Sequence, residues 1–311
     1  MEFKHISIMF EDCMRLLDIK KDGIYVDGTL GGGGHSYGIC SSLGENGRLI
    51  GIDRDIEAID AAKKRLAEFA NITTFVNSNY ANIKEILAEC GVSSINGALL
   101  DLGVSSYQLD NPERGFSYMH DAPLDMRMNA QDSFSAYELI NEYSEKELTR
   151  VIKDYGEERW ASRIARFIVN ARKSHPVATT FQLNDIIKSA IPASARKDGG
   201  HPSKRTFQAI RIEVNGEIEK LEKAVSDFFD VLAPGGVLAV ITFHSLEDRI
   251  VKQLFKDFAT GCTCPSDFPI CVCGKTPRGK ILTKKPIVAN DEEINFNSRS
   301  KSAKLRGIMK L

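Results

Sequence analysis

No stretch of this chain approaches the roughly 18 consecutive apolar residues of a membrane-spanning helix. The first twenty residues interrupt their apolar positions with Glu11 and Asp12, unlike a secretory leader. A soluble, cytoplasmic protein is expected. Net charge is lacking too: 41 basic and 42 acidic side chains leave −1, so affinity for an anionic polymer must come from local clusters rather than a global field. Nor is there an even set of cysteines. There are seven, three of them scattered (Cys13, Cys40 and Cys90), which argues against the disulfide framework of a secreted domain. Internal repeats and low-complexity segments are also absent. What is present is 311 residues, 42% of them hydrophobic, enough for one large core and a second module.

The first hundred residues alternate short β-rich runs with helical patterns. Strands are expected at 23–27, 48–53, 72–76 and 95–100, and helices at 36–42, 56–69 and 83–90. Strict alternation implies a parallel, doubly wound sheet. After Leu102 the pattern becomes helical, with periodic stretches at 135–141, 145–155, 157–173 and 207–232. Pro234-Gly-Gly236 then reads as a turn, and 237–243 as an apolar strand. A sheet interrupted and resumed implies a helical insertion in an α/β domain.

Between the first strand and the first helix lies Asp27-Gly-Thr-Leu-Gly-Gly-Gly-Gly-His35, where glycines let a ligand approach the backbone. The dinucleotide fingerprint needs glycines one, three and six of its window. Ser36 and Tyr37 occupy the positions where the third would fall, which disfavours a nicotinamide dehydrogenase, and no Gly-Lys-Ser/Thr follows to make a phosphate loop. An acid at the strand end with glycines at alternate positions (Asp27, Gly31, Gly33) resembles the first motif of class I S-adenosylmethionine-dependent methyltransferases. The charges agree, since this cofactor has an ammonium, a sulfonium and a ribose diol but no phosphate. Asp53 ends the second strand, suited to the ribose hydroxyls. Tyr80 follows the third and can lie on adenine. Asp101 ends the fourth, beside the methionine end; all three lie at C-terminal strand edges, where such sheets bind ligands.

Eight segments together carry a more specific resemblance. They are Asp27 to Ser36, Gly51-Ile-Asp-Arg-Asp55, Asp101-Leu-Gly-Val-Ser-Ser106, Arg114-Gly-Phe-Ser117, Pro123-Leu-Asp-Met-Arg-Met128, Tyr155-Gly-Glu-Glu158, Arg205-Thr-Phe-Gln-Ala-Ile-Arg-Ile212 and Phe243-His-Ser-Leu-Glu-Asp-Arg249. In these, nearly the whole chain resembles the ribosomal RNA small subunit methyltransferase H family. Members methylate the exocyclic N4 of a cytidine in the decoding region of 16S ribosomal RNA. The chain departs from the family's usual pattern at Ser7 and at Ser203-Lys204. The resemblance implies an α/β fold, a class I methyltransferase domain with a Rossmann-like doubly wound sheet at 1–105 and 206–311, and an inserted helical, substrate-recognition domain at 106–205. It implies S-adenosyl-L-methionine as cofactor, held by Gly33, Gly34, His35, Asp53, Tyr80, Asp101 and Gln108. The partner it implies is 16S ribosomal RNA, within the 30S subunit.

Cytosine N4 is a poor nucleophile because its lone pair is delocalised, so it must be fixed in line with the methyl group and its amine hydrogen-bonded. No catalytic group is assigned. Asp101, or the carbonyl of Leu102 or Gly103, is expected to orient the amine, and Phe116 to stack on an extruded base. Arg205, Arg211 and His244 are expected to contact RNA, although a turn role for His244 has equal standing. Two basic clusters could grip phosphates: Lys275, Arg278, Lys280, Lys284 and Lys285, and a tail with Arg299, Lys301, Lys304, Arg306 and Lys310. No metal is assigned to the chemistry. Cys262-Thr-Cys264 and Cys271-Val-Cys273 nevertheless form two closely spaced pairs, which suggests a structural zinc knuckle in spacing that departs from the commoner Cys-x-x-Cys. The alternatives are a methyltransferase of another nucleic acid or of protein, and a non-enzymatic RNA-binding assembly factor.

Overall fold

Strands Ile24–Asp27 (β1), Arg48–Asp53 (β2), Thr73–Asn77 (β3) and Ile95–Asp101 (β4) lie within a residue or so of their expected places. The computed structural model describes residues 7–104, 111–196, 200–265, 270 and 272–311. The four strands pair in parallel in the order β3-β2-β1-β4, and Leu232–Thr242 (β5) adds in parallel to β4. Neighbouring residues feed two separate cores: Ile50, Leu100 and Leu238 pack in one, Leu49, Leu99 and Ala239 in the other. Strands covered on both faces read as continuous apolar runs, which is why these stood out in the sequence. The first core is completed by Glu217–Val231 (α10) and Ser245–Ala259 (α11), and the second by Phe10–Leu17 (α1), Gly34–Ser42 (α2) and Ile56–Arg65 (α3).

Three strands were not expected. Lys304–Lys310 (β8) pairs antiparallel with β5, and Gly279–Ile281 (β6) and Ile287–Val288 (β7) both pair with β8. Two are too short to show a period, and the third reads as a basic tail. The Pro234-Gly-Gly236 segment lies within β5 rather than ahead of it. The β4–β5 register shifts between Ile95 and Gly97 to accommodate it.

The chain divides into two compact units, residues 1–103 with 218–311, and 104–217. The second unit is helical. Its helices Ala136–Glu142 (α5), Glu145–Asp154 (α6) and Thr180–Ala190 (α8) each begin with a reciprocal capping box, at Ser135/Glu138, Ser144/Glu147 and Thr179/Gln182. Ala161–Ala171 (α7) buries Ile164 and Ile168 against them. The single helix expected over 207–232 is broken at Gly216, whose φ of 59° ends Lys204–Asn215 (α9) in the left-handed region that glycine tolerates. Phe207 and Ile210 of α9 lie in the helical unit's core. That unit therefore extends to Glu217, past the boundary of 205 expected from the sequence.

Candidate functional site

The glycine loop is stitched to the strand ends around it. The Gly28 N–H donates to Leu99 O at 2.9 Å, the Leu30 N–H to Ile52 O at 2.9 Å, and the Gly31 N–H to Asp53 Oδ2 at 2.8 Å. Asp27, fully buried at the end of β1, accepts from Ser36 Oγ at 2.7 Å and from the Thr29 N–H at 3.2 Å. Gly33 caps α2 at φ 73°, where a side chain would be strained. A Cβ on Gly34 would lie 2.0 Å from Ser7 Oγ, so the chain before α1 crosses the loop here. His35 lies under the same crossing. Its Nε2 is 2.9 Å from the Ile8 carbonyl, which can only accept, so Nε2 carries the proton and Nδ1 faces Asp101 Oδ2 at 3.8 Å.

Asp53 and Asp101 come to the same loop. Asp53 accepts the Gly31 N–H on one oxygen and the Asp55 N–H, at 2.9 Å, on the other. The Arg54 N–H bonds the same carboxylate, and the two oxygens together retain capacity for a further donor. Tyr80 opens a short 3-10 turn after β3, and a Cβ on Gly28 would lie 3.3 Å from the Cβ of Tyr80. The Asp101 N–H donates to Thr29 Oγ1 at 2.6 Å, while its Oδ1, shut off from solvent, has no hydrogen-bond partner among the described residues. Burial raises Asp27 to about 6, against the lowering hydrogen bonds from Ser36 and Thr29, and raises Asp53 as well. Burial pushes Asp101 to about 8, with Asp27 and Glu247 adding repulsion. An acid cluster with an unsatisfied buried oxygen is complementary to a cation and hostile to phosphate. These residues therefore fit the ammonium and sulfonium of S-adenosylmethionine.

Glu247 was not singled out in the sequence. Within α11's capping box its Oε2 accepts the Phe243 and His244 N–H groups at 2.8 and 3.3 Å, and it is 2% exposed. The spacing of a cap residue and a glutamate three positions on was the available signal. Thr29 carried none beyond its place in the loop.

Several expected contacts are employed elsewhere. Phe116 is 7% exposed in the helical unit's core, 6.0 Å from the Arg114 guanidinium. Arg211 makes a two-pronged ion pair with Glu217, at 2.8 and 2.9 Å. Exposed Arg205 donates to the Glu157 carbonyl at 3.1 Å, bracing a residue at φ 48°. His244 is the N-cap of α11, its Nδ1 accepting the Glu247 N–H, which is the turn role. The basic tail is β8: Arg306 and Lys304 pair with Asp248, and Lys310 Nζ donates to the Asp230 carbonyl. Gln108 lies outside the described residues.

Comparison with known proteins agrees with this arrangement. The family model described as the MraW methylase family matches residues 2–311. A protein of Lachnospira eligens called ribosomal RNA small subunit methyltransferase H is 58% identical over 306 residues, covering 98% of this chain and 97% of that one. Proteins of the same name from Ruminiclostridium cellulolyticum and Clostridium botulinum are 54% and 56% identical, each covering 100% of both chains. With its glycine loop and strand-end acids in a doubly wound sheet, and a match along nearly its entire length, the chain belongs to the MraW methylase family.

Proposed function

We propose that this protein transfers a methyl group from S-adenosylmethionine to the exocyclic N4 of a cytidine in the decoding region of 16S ribosomal RNA, in the cytoplasm and with the 30S subunit as partner. The acid cluster of Asp27, Asp53 and Asp101, with an Asp101 Oδ1 that has no hydrogen-bond partner among the described residues, is the observation that carries the cofactor half. The RNA half is supported by relatives named for the small-subunit RNA and aligned over 97% and 100% of their length.

When bound, S-adenosylmethionine supplies an electrophilic methyl on a sulfonium, which leaves as a neutral thioether. The chain's own residues bind and orient. Asp53, anchored by the backbone N–H groups of Gly31, Arg54 and Asp55, presents its remaining acceptor capacity to the ribose hydroxyls. Tyr80 lies against the adenine. Gly33, Gly34 and His35 line the loop, and Gln108 takes the adenine edge. Asp101 offers Oδ1 to the cationic methionine end. Beyond it, the carbonyls of Leu102 and Gly103 accept from the target amine and hold its lone pair toward the methyl. The helical unit recognises the RNA, with Arg205 among its exposed cations.

The test is methyl transfer from labelled cofactor to isolated 30S subunits and to naked 16S RNA, with the modified nucleoside identified by mass. N4-methylated cytidine in the decoding region is expected, with subunits the better substrate. Label in protein, or in another nucleoside, would sink the proposal.

A further inference from the structure

Between α11 and β6, residues 260–278 form no helix or strand among those described. The base of this segment is closed, with the Arg278 N–H donating to the Phe258 carbonyl at 2.8 Å and the Arg278 guanidinium 5.1 Å from the Phe258 ring. Among the described residues of this segment, the large hydrophobic side chains Ile270 and Val272 are 75% and 74% exposed, the reverse of what burial-driven folding produces. Such exposure calls for a source of order other than apolar burial.

Three thiols converge there. The Sγ atoms of Cys262, Cys264 and Cys273 all lie within 4.8 Å of one another, and those of Cys262 and Cys273 are 3.7 Å apart. A disulfide would need about 2.05 Å. Tetrahedral zinc, with Zn–S bonds of about 2.3 Å, sets neighbouring sulfurs about 3.8 Å apart. Thiolate-only donor sets select zinc over harder cations. The geometry points to a structural zinc site formed by Cys262, Cys264 and Cys273, clipping the 260–278 segment into one conformation. Three positions of a tetrahedron are thus placed; the sequence's remaining nearby thiol, Cys271, lies outside the described residues. Each thiol gives up its proton as the metal binds, so assembly depends on pH and releases protons. The site belongs to the sheet-containing unit, and the role assigned to it is structural. Its contribution is to fix Lys275 and the flanking chain where hydrophobic burial cannot.

The full chain, made without a histidine tag or chelator in zinc-supplemented medium, should contain about one zinc per molecule by mass spectrometry. The double variant C262S/C273S should lose at least nine-tenths of it, whereas C90S keeps it. Cobalt replacing the zinc should give the visible bands of tetrahedral thiolate coordination. In case the double variant misfolds, the wild-type protein provides a second reading. Zinc should protect the clustered thiols from alkylation, and a strong chelator should expose them. Unchanged zinc in the double variant, metal-free wild-type protein with freely alkylated thiols, or a cobalt spectrum lacking thiolate bands would each overturn the assignment.

Discussion

Asp101 carries the sharpest consequences at the scale of single residues. Its Oδ1 is buried without a hydrogen-bond partner among the described residues, and its pKa is raised to about 8 by burial, with Asp27 and Glu247 adding to the shift. A carboxyl whose folded pKa exceeds its unfolded one keeps its proton in the native state after the unfolded chain has lost it. Its contribution to stability is thus complete below about pH 4 and lost as pH rises through about 8. Thermal scans of the cofactor-free protein should show its melting temperature falling across that window. Asp101→Asn should flatten the fall, because the amide has no charge to bury. A cation binds the ionised form best, so S-adenosylmethionine affinity should rise between pH 6 and 8 in the wild type. Titration calorimetry should find that Asp101→Asn weakens binding about 10- to 100-fold, the loss of one charge-assisted hydrogen bond. Unchanged affinity in that variant would show that Asp101 does not face the cationic end.

Arg211 and Glu217 illustrate what a linear reading misses at the scale of elements. The periodicity of 207–232 is continuous, yet the left-handed Gly216 ends α9 and α10 starts afresh, with the Arg211–Glu217 pair spanning the break. Both side chains are largely buried, at 17% and 11% exposed. Losing one partner therefore leaves an unpaired charge, at a cost of about 2–4 kcal/mol. Arg211→Met should lower the melting temperature by several degrees and spare RNA affinity measured below the transition, and adding Glu217→Leu should restore part of the stability. A phosphate-binding arginine would show the opposite, weaker RNA binding with an unchanged melt. The same contrast explains what was legible. Strands β1, β2 and β4 announce themselves because both their faces are covered, and Asp27, Asp53 and Asp101 because they terminate those strands. The cap spacing marked Glu247 as a capping carboxylate, but α11 bringing it toward Asp101 is a long-range approach that this spacing does not encode. For Phe116 and Arg211, residue type shows that a ring or guanidinium can bind a base or phosphate, whereas only packing shows what each also touches, the helical unit's core and Glu217.

For the whole molecule, the question is what the basic C-terminus does. Read as a tail it would be a detachable phosphate grip. In the structure, β8 lies between β5 and β6, with Leu305 and Ile308 fully buried and Arg306 paired to Asp248 in the interior. Each buried aliphatic contributes about 2–5 kcal/mol, against a total stability on the order of 5–15 kcal/mol. Deleting residues 299–311 should therefore abolish the cooperative melt and S-adenosylmethionine binding together, as circular dichroism and calorimetry would report. Substitution separates charge from fold. Lys280, Lys284, Lys285 and Lys301 are exposed, so changing them to Gln should leave the melting temperature within a degree or two. If they meet phosphates, log affinity for 16S RNA against log salt should lose a slope of roughly 0.7–0.9 per cation removed. A truncated chain that still melts cooperatively would show that β8 is dispensable to the sheet. A fourfold Gln variant with an unchanged salt slope would place the RNA on another face.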